Sequence, residues 1–82
     1  MNLFIPPAYC KQPIARRSRR LYDQMREGDK SHVRRLAHIP IARVINVGRQ
    51  YRILSLDRGA NWKLLPHDEY ERVIKKWHKK KR

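Results

Sequence analysis

Residues 47–66 read VGRQYRILSLDRGANWKLLP, and their reading decides the fold. Gly48 opens a tight turn, residues 50–56 alternate as a strand, residues 57–61 hold a Gly-containing turn, and residues 62–65 resume the strand pattern. Just upstream, residues 41–47 (IARVINV) are β-branched and strand-like. Connections this short leave successive strands as antiparallel neighbours, so these segments form a meander. Within them the alternation is interrupted by charge. Tyr51, Ile53 and Ser55 share one face and Arg52, Leu54 and Leu56 the other; Ile41, Arg43, Ile45 and Val47 stand opposite Ala42, Val44 and Asn46. A two-layer domain covers one sheet face with helices and leaves the other wet. On that expectation Arg43 and Arg52, each sharing a face with apolar residues, must either reach an edge or meet an anion in a groove.

Helical periods flank the meander. Ile14, Leu21, Tyr22 and Met25, helped by Ala15 and Ser18, make one apolar stripe over residues 14–27, while Arg16, Arg17, Arg19, Arg20 and Arg26 cover most of the remaining surface. Pro13 suits the first turn of that helix and Gly28 its C-terminal cap. Residues 29–40 show no clean period; Val33 and Leu36 suggest a short second helix or turn, closed by Pro40. Towards the C-terminus Tyr70, Val73, Ile74 and Trp77 repeat at i, i+3, i+4, i+7, one face of a helix. Asp68 and Glu71 have capping-box spacing, and the acids Asp68, Glu69 and Glu71 precede Lys75, Lys76, Lys79 and Lys80, the order a helix dipole favours. Pro6 and Pro7 mark residues 1–12 as an extended arm, and residues 78–82 read as a basic tail.

The charge balance narrows the partner. Among 82 residues there are 21 Lys and Arg against 7 Asp and Glu, a formal charge of +14. Self-repulsion on that scale weakens a compact state, so a polyanionic neighbour is expected: nucleic acid, an anionic surface or an acidic protein. No apolar run approaches the roughly 18 residues of a membrane span, so a membrane is the weakest of these. The start, MNLFIPPAYC, lacks the basic region of a signal peptide. Cys10 stands alone, which fits a reducing cytoplasm and an inert thiol. His32, His38, His67 and His78 lack metal-ligand spacing, no Gly-rich loop is set to cradle phosphate, and neither metal nor cofactor is expected.

Arginine is the side chain best suited to a phosphate, because its planar fork binds two oxygens at once and never loses its charge. Arg43, Arg49 and Arg52 therefore head the candidates, in a sheet whose edge also presents Tyr51, Lys63 and His67. Arg16, Arg19, Arg20, Lys75 and Lys76 extend the candidate nucleic-acid surface over both helices, although such charges also serve simply to solvate a helix. Trp62 and Trp77 fit a core better than a base-stacking platform.

The order helix, then R-x-I-x-V-G-x-x-Y-R-I-L-S at residues 43–55, then W-x-L-x-x-H-x-x-Y at residues 62–70, resembles the ParE-like toxin domains of the RelE/ParE superfamily, found in bacteria and their phages. The resemblance covers roughly residues 12–75. It implies an α+β fold in which an N-terminal helix (or two) packs on a three- to four-stranded antiparallel twisted sheet, with a C-terminal helix. That is a single domain over residues 13–77. It further implies toxin biology in the cytoplasm of a bacterial host: relatives either cut messenger RNA on the ribosome or block DNA gyrase, and an acidic antitoxin neutralises them. Carried onto matching positions, it makes Arg43 and Arg52 phosphate binders and His67 or Tyr70 the acid/base group of a metal-independent endoribonuclease. Competing roles are a helix-opening arrangement for His67 with Asp68, and packing for Tyr70, which begins the apolar stripe. Three functions remain open: an RNA-cutting or RNA- and ribosome-binding toxin, an inhibitor of a host protein such as gyrase, and a nucleic-acid-binding accessory protein.

Overall fold

A computed structural model describes residues 2–36 and 39–80, the last three in backbone only. His38 and the side chains of the expected tail over 78–82 lie outside the described residues. In chain order the elements are β1 (Asn2–Phe4), a 3-10 turn (Pro7–Tyr9), α1 (Pro13–Arg26), β2 (Val33–Leu36), β3 (Ile39–Val47), β4 (Tyr51–Ser55), β5 (Asn61–Pro66) and α2 (His67–Lys80). The fold is α+β, built on the expected β3–β4–β5 meander. The sheet has five strands in the order β1-β5-β4-β3-β2, antiparallel except for the β1–β5 pair.

Two strands come from segments with weak sequence signals. β1 lies in the expected arm and pairs Leu3 with Trp62 and Phe4 with Lys63. β2 stands where a short helix or turn was expected. Val33 and Leu36 are three apart, a helical interval, but in a strand that interval turns them to opposite faces. Here both faces have a core: Val33 packs with the buried residues on the α1 side and Leu36 with those on the α2 side.

The same arrangement corrects the two-layer expectation and explains the ragged alternation. Ile45, Val47, Ile53, Trp62 and Leu64 pack with Tyr22 and Met25 of α1 on one face. Val44, Leu54 and Leu65 pack with Tyr70, Val73 and Ile74 of α2 on the other. Ile53 and Leu54 are neighbours in sequence, yet they are 0% and 5% exposed. A strand buried on both sides reads as a near-continuous apolar run, not as an alternation.

The helices are positioned by small local devices. α1 approaches the sheet through Ala15 and Ser18, both buried, with the Ser18 hydroxyl donating to the Ile14 carbonyl at 2.7 Å. Gly28, at φ 110°, ends the helix in the left-handed region and donates its N–H to the Met25 carbonyl. α2 starts with the His67 N–H bonded to the Gln50 carbonyl at 2.6 Å, which ties the helix to the β3–β4 hairpin. No Asp68–Glu71 hydrogen bond occurs among the described residues; instead His67 Nδ1 lies 3.9 Å from Glu71 Oε1, one turn on.

The β4–β5 turn is held from several directions. Asp57 accepts from the Asn61 N–H and side-chain amide, both at 2.9 Å, and from the Ser55 hydroxyl at 2.8 Å. Trp62 Nε1–H donates to the Gly59 carbonyl at 3.0 Å, and the Arg58 N–H to the Ile41 carbonyl at 2.9 Å.

Both faces being cores, Ile53→Ala and Leu54→Ala should each cost about 2–5 kcal/mol in denaturant unfolding; a near-silent Leu54→Ala would mean that α2 does not seal its face. The Asn61 N–H, the Asn61 amide and the Ser55 hydroxyl hold the Asp57 carboxyl below its ordinary 3.8. The stability this supplies is present above that ordinary value and is lost as the pH falls through the depressed one. Asp57→Ala should therefore lower the Tm at neutral pH, with the gap to the parent closing once the pH drops below the ordinary carboxylate range.

Candidate functional site

The β3–β4 hairpin and the β5–α2 junction meet at one end of the sheet. Val47 pairs with Tyr51 across the loop Gly48–Arg49–Gln50, and Tyr51 pairs in turn with Pro66 on β5. The His67 bond to Gln50 closes this corner. Arg49, Gln50, Tyr51, Pro66, His67 and Asp68 line a cleft of about 350 Å³ there. The rim is ordered by aromatic and guanidinium contacts: Tyr9 meets the Tyr51 ring edge-on at 5.3 Å, and the His67 and Tyr70 rings lie 6.2 Å apart.

Arg52 stands beside this cleft on the α2 face. Its Nη1 donates to the Tyr51 carbonyl at 2.8 Å and the Arg49 carbonyl at 3.4 Å, and its guanidinium carbon lies 5.9 Å from the centre of the Tyr70 ring. The fork is thus aimed by backbone and ring together, while Nε and Nη2 keep their donors. Of the residues expected to act together, the structure gathers Arg49, Arg52, His67 and Tyr70. His67 is partly exposed, its side chain 39% accessible. Tyr70 packs against the α2-side core, the structural role weighed for it, and its ring also faces Arg52.

Arg43 does not join them. Arg52 is opposite Asn46 and Arg43 opposite Ser55, so the two arginines lie on opposite sheet faces, three residues apart along β3. Arg43 and Arg52 therefore do not form one row of guanidinium groups on a shared face. The Arg43 Nη1 turns back on the Pro40 and Ala42 carbonyls at 2.7 and 2.9 Å. Its surroundings are a second cleft, lined by Arg26, Lys30, Arg58, Gly59 and Trp62. Arg26, Lys30 and Arg58 were not singled out as binding residues; the only sequence cue to Arg58 was its place in the Asp57–Arg58–Gly59 turn.

The remaining candidates are dispersed. Arg16, Arg19 and Arg20 are exposed on α1 and line a groove whose floor is Leu3, Ile5 and Ala15. Lys63 projects on the α2 side of β5 with its Nζ 5.9 Å from the Phe4 ring centre. Lys75 and Lys76 are exposed on α2. Across the described residues no Arg or Lys side chain comes within 4.0 Å of a carboxylate. No helix of the described residues is long and apolar enough to cross a membrane.

A family model described as the ParE-like toxin domain matches residues 12–72. No curated protein and no solved structure matches the chain.

If Arg52 and Tyr70 hold each other, a double-mutant cycle with Arg52→Gln and Tyr70→Leu, read by urea unfolding, should return a coupling of about 0.5–1 kcal/mol. Strict additivity would show that the ring does not aim the guanidinium.

Proposed function

The chain belongs to the ParE-like toxin domain family, and from that membership we propose that its target is RNA, held at the cleft between the β3–β4 hairpin and the start of α2. One observation carries the reading: Arg49, Arg52, His67 and Tyr70 converge at one corner, with neither guanidinium group within 4.0 Å of a described carboxylate. Charge-assisted bonds from an arginine fork suit a phosphodiester, and a net charge of +14 draws a polyanion to the surface. Its place of action is the cytoplasm of a bacterial host, where ribosomes and their messenger RNA lie, and its antitoxin would be acidic.

At this corner the chemistry is cleavage through the RNA's own 2′-hydroxyl. His67 takes the 2′-hydroxyl proton, and the 2′-oxygen bonds to phosphorus as the bond to the 5′-oxygen breaks. Arg49 and Arg52 stabilise the extra negative charge on the phosphoryl oxygens. The Tyr70 hydroxyl is the remaining proton donor for the departing 5′-oxygen. The products are a 2′,3′-cyclic phosphate and a 5′-hydroxyl end. Arg43 has no part in these steps, being on the other face.

A second reading, an inhibitor that docks on a host protein, is favoured by Phe4, a large apolar side chain left 53% exposed at the β1 edge.

Expression in bacteria should stop growth and create new 5′-hydroxyl RNA ends. Arg52→Ala should reduce cutting in a translating extract by about 10²–10³ and His67→Ala by about 10²–10⁴, with the folded circular-dichroism spectrum retained. Growth arrest without new ends, together with a salt-insensitive stoichiometric protein complex, would replace RNA with the protein target. Unchanged cutting by both variants would reject the assigned residues.

A further inference from the structure

The second cleft lies at the other end of the sheet, where α1 ends and the β4–β5 turn folds over β3. Its volume is about 380 Å³, and Arg26, Lys30, Arg43 and Arg58 line it together with Met25, Val33, Gly59 and Trp62. Arg35 of β2 pairs directly across from Arg43. Like charges set opposite one another in a sheet are destabilising, and no carboxylate among the lining residues offsets these.

Two of these side chains are held in place, and a third is carried on a fixed backbone. Arg26 has its guanidinium carbon 5.9 Å from the centre of the buried Tyr22 ring, and Arg43 is fixed by the Pro40 and Ala42 carbonyls. Arg58 sits at φ 60°, a left-handed backbone that a residue with a Cβ rarely adopts. That conformation persists because the turn is over-determined, by the Ile41 carbonyl at its N–H, by the Trp62 indole at Gly59, and by the Ser55 and Asp57 side chains. Strained backbone held by its surroundings, presenting a charged side chain to a cleft of like charges, is the arrangement of a binding site.

We propose that this cleft is a phosphate-binding site, separate from the corner formed by Arg49, Arg52 and His67. The residues offer several guanidinium donors and an ammonium to one anion, with Trp62 and Met25 as an apolar floor. A phosphate neutralises the cluster and satisfies donors that the protein leaves unused. The distance from Arg43 to the hairpin, five residues along β3, is about 17 Å, so the two sites cannot share one phosphate. The inference does not depend on what the hairpin corner binds. The phosphate comes either from free phosphate compounds or from an RNA strand.

The Trp62 indole N–H lies on the cleft wall and donates to Gly59, so its NMR resonance reports occupancy. The full chain, isotope-labelled, is titrated with sodium pyrophosphate and separately with a short single-stranded RNA, each against sodium chloride at matched ionic strength. At least one should move the Trp62 indole and Gly59 amide saturably, beyond the chloride control. Movement by pyrophosphate marks free phosphate compounds as sufficient; movement by RNA alone marks the strand as the source. Arg58→Gly should weaken that response by about tenfold or more. The variant should melt no lower than the parent, because glycine suits the left-handed turn. The inference is overturned if neither probe exceeds chloride, or if Arg58→Gly binds as tightly as the parent.

Discussion

Burial of adjacent residues on opposite sheet faces is the constraint from which the rest of this structure follows. Ile53 and Leu54 are both removed from water, one under α1 and the other under α2. An 82-residue chain has little interior to share, and here that interior is split into two thin layers on either side of one sheet. Neither face retains room for a solvated row of arginines. The arginines of β3 and β4, Arg43 at mid-strand and Arg52 near the hairpin, bend their side chains back to backbone carbonyls.

The cations gather at two corners, at opposite ends of the sheet. At the hairpin corner an arginine fork is braced by a tyrosine ring beside a histidine at a helix start. At the opposite end a strained turn presents Arg58 next to Arg43. The near absence of ion pairs among the described residues means that cationic repulsion is relieved mainly by solvent, salt or a bound polyanion. Fold stability and binding are coupled through this term, since any anion that prefers the folded state also stabilises it.

Much of the fold was legible in the sequence. The Gly-containing turns fixed the β3–β4–β5 meander, the stripe of Tyr70, Val73 and Ile74 fixed α2, and Pro13 and Gly28 bracketed α1 to within two residues. The edge strands were harder to see. β1 is three residues long and pairs in parallel with β5, a partner nearly sixty positions away, so no local turn announces it. β2 imitates a helix because Val33 and Leu36 serve different cores, and a register irregularity follows Arg35. The site was legible in part. Residues joined by short connections, such as Arg49, Arg52, His67 and Tyr70, follow from the meander itself. The grouping of Arg26 and Lys30 with Arg43 and Arg58 depends on how α1 lies across the sheet, which periodicity does not specify.

Membership of the ParE-like toxin domain family marks the chain as a toxin of the toxin–antitoxin type, and RNA at the hairpin corner is the target we propose. The most direct test is a chemical-shift map of the full chain as a short single-stranded RNA is added at near-physiological salt. The backbone amides of residues 48–52 and 67–70 should move first and saturate together. Shifts confined to the exposed arginine face of α1, with the hairpin and the start of α2 unchanged, would contradict an RNA site at that corner.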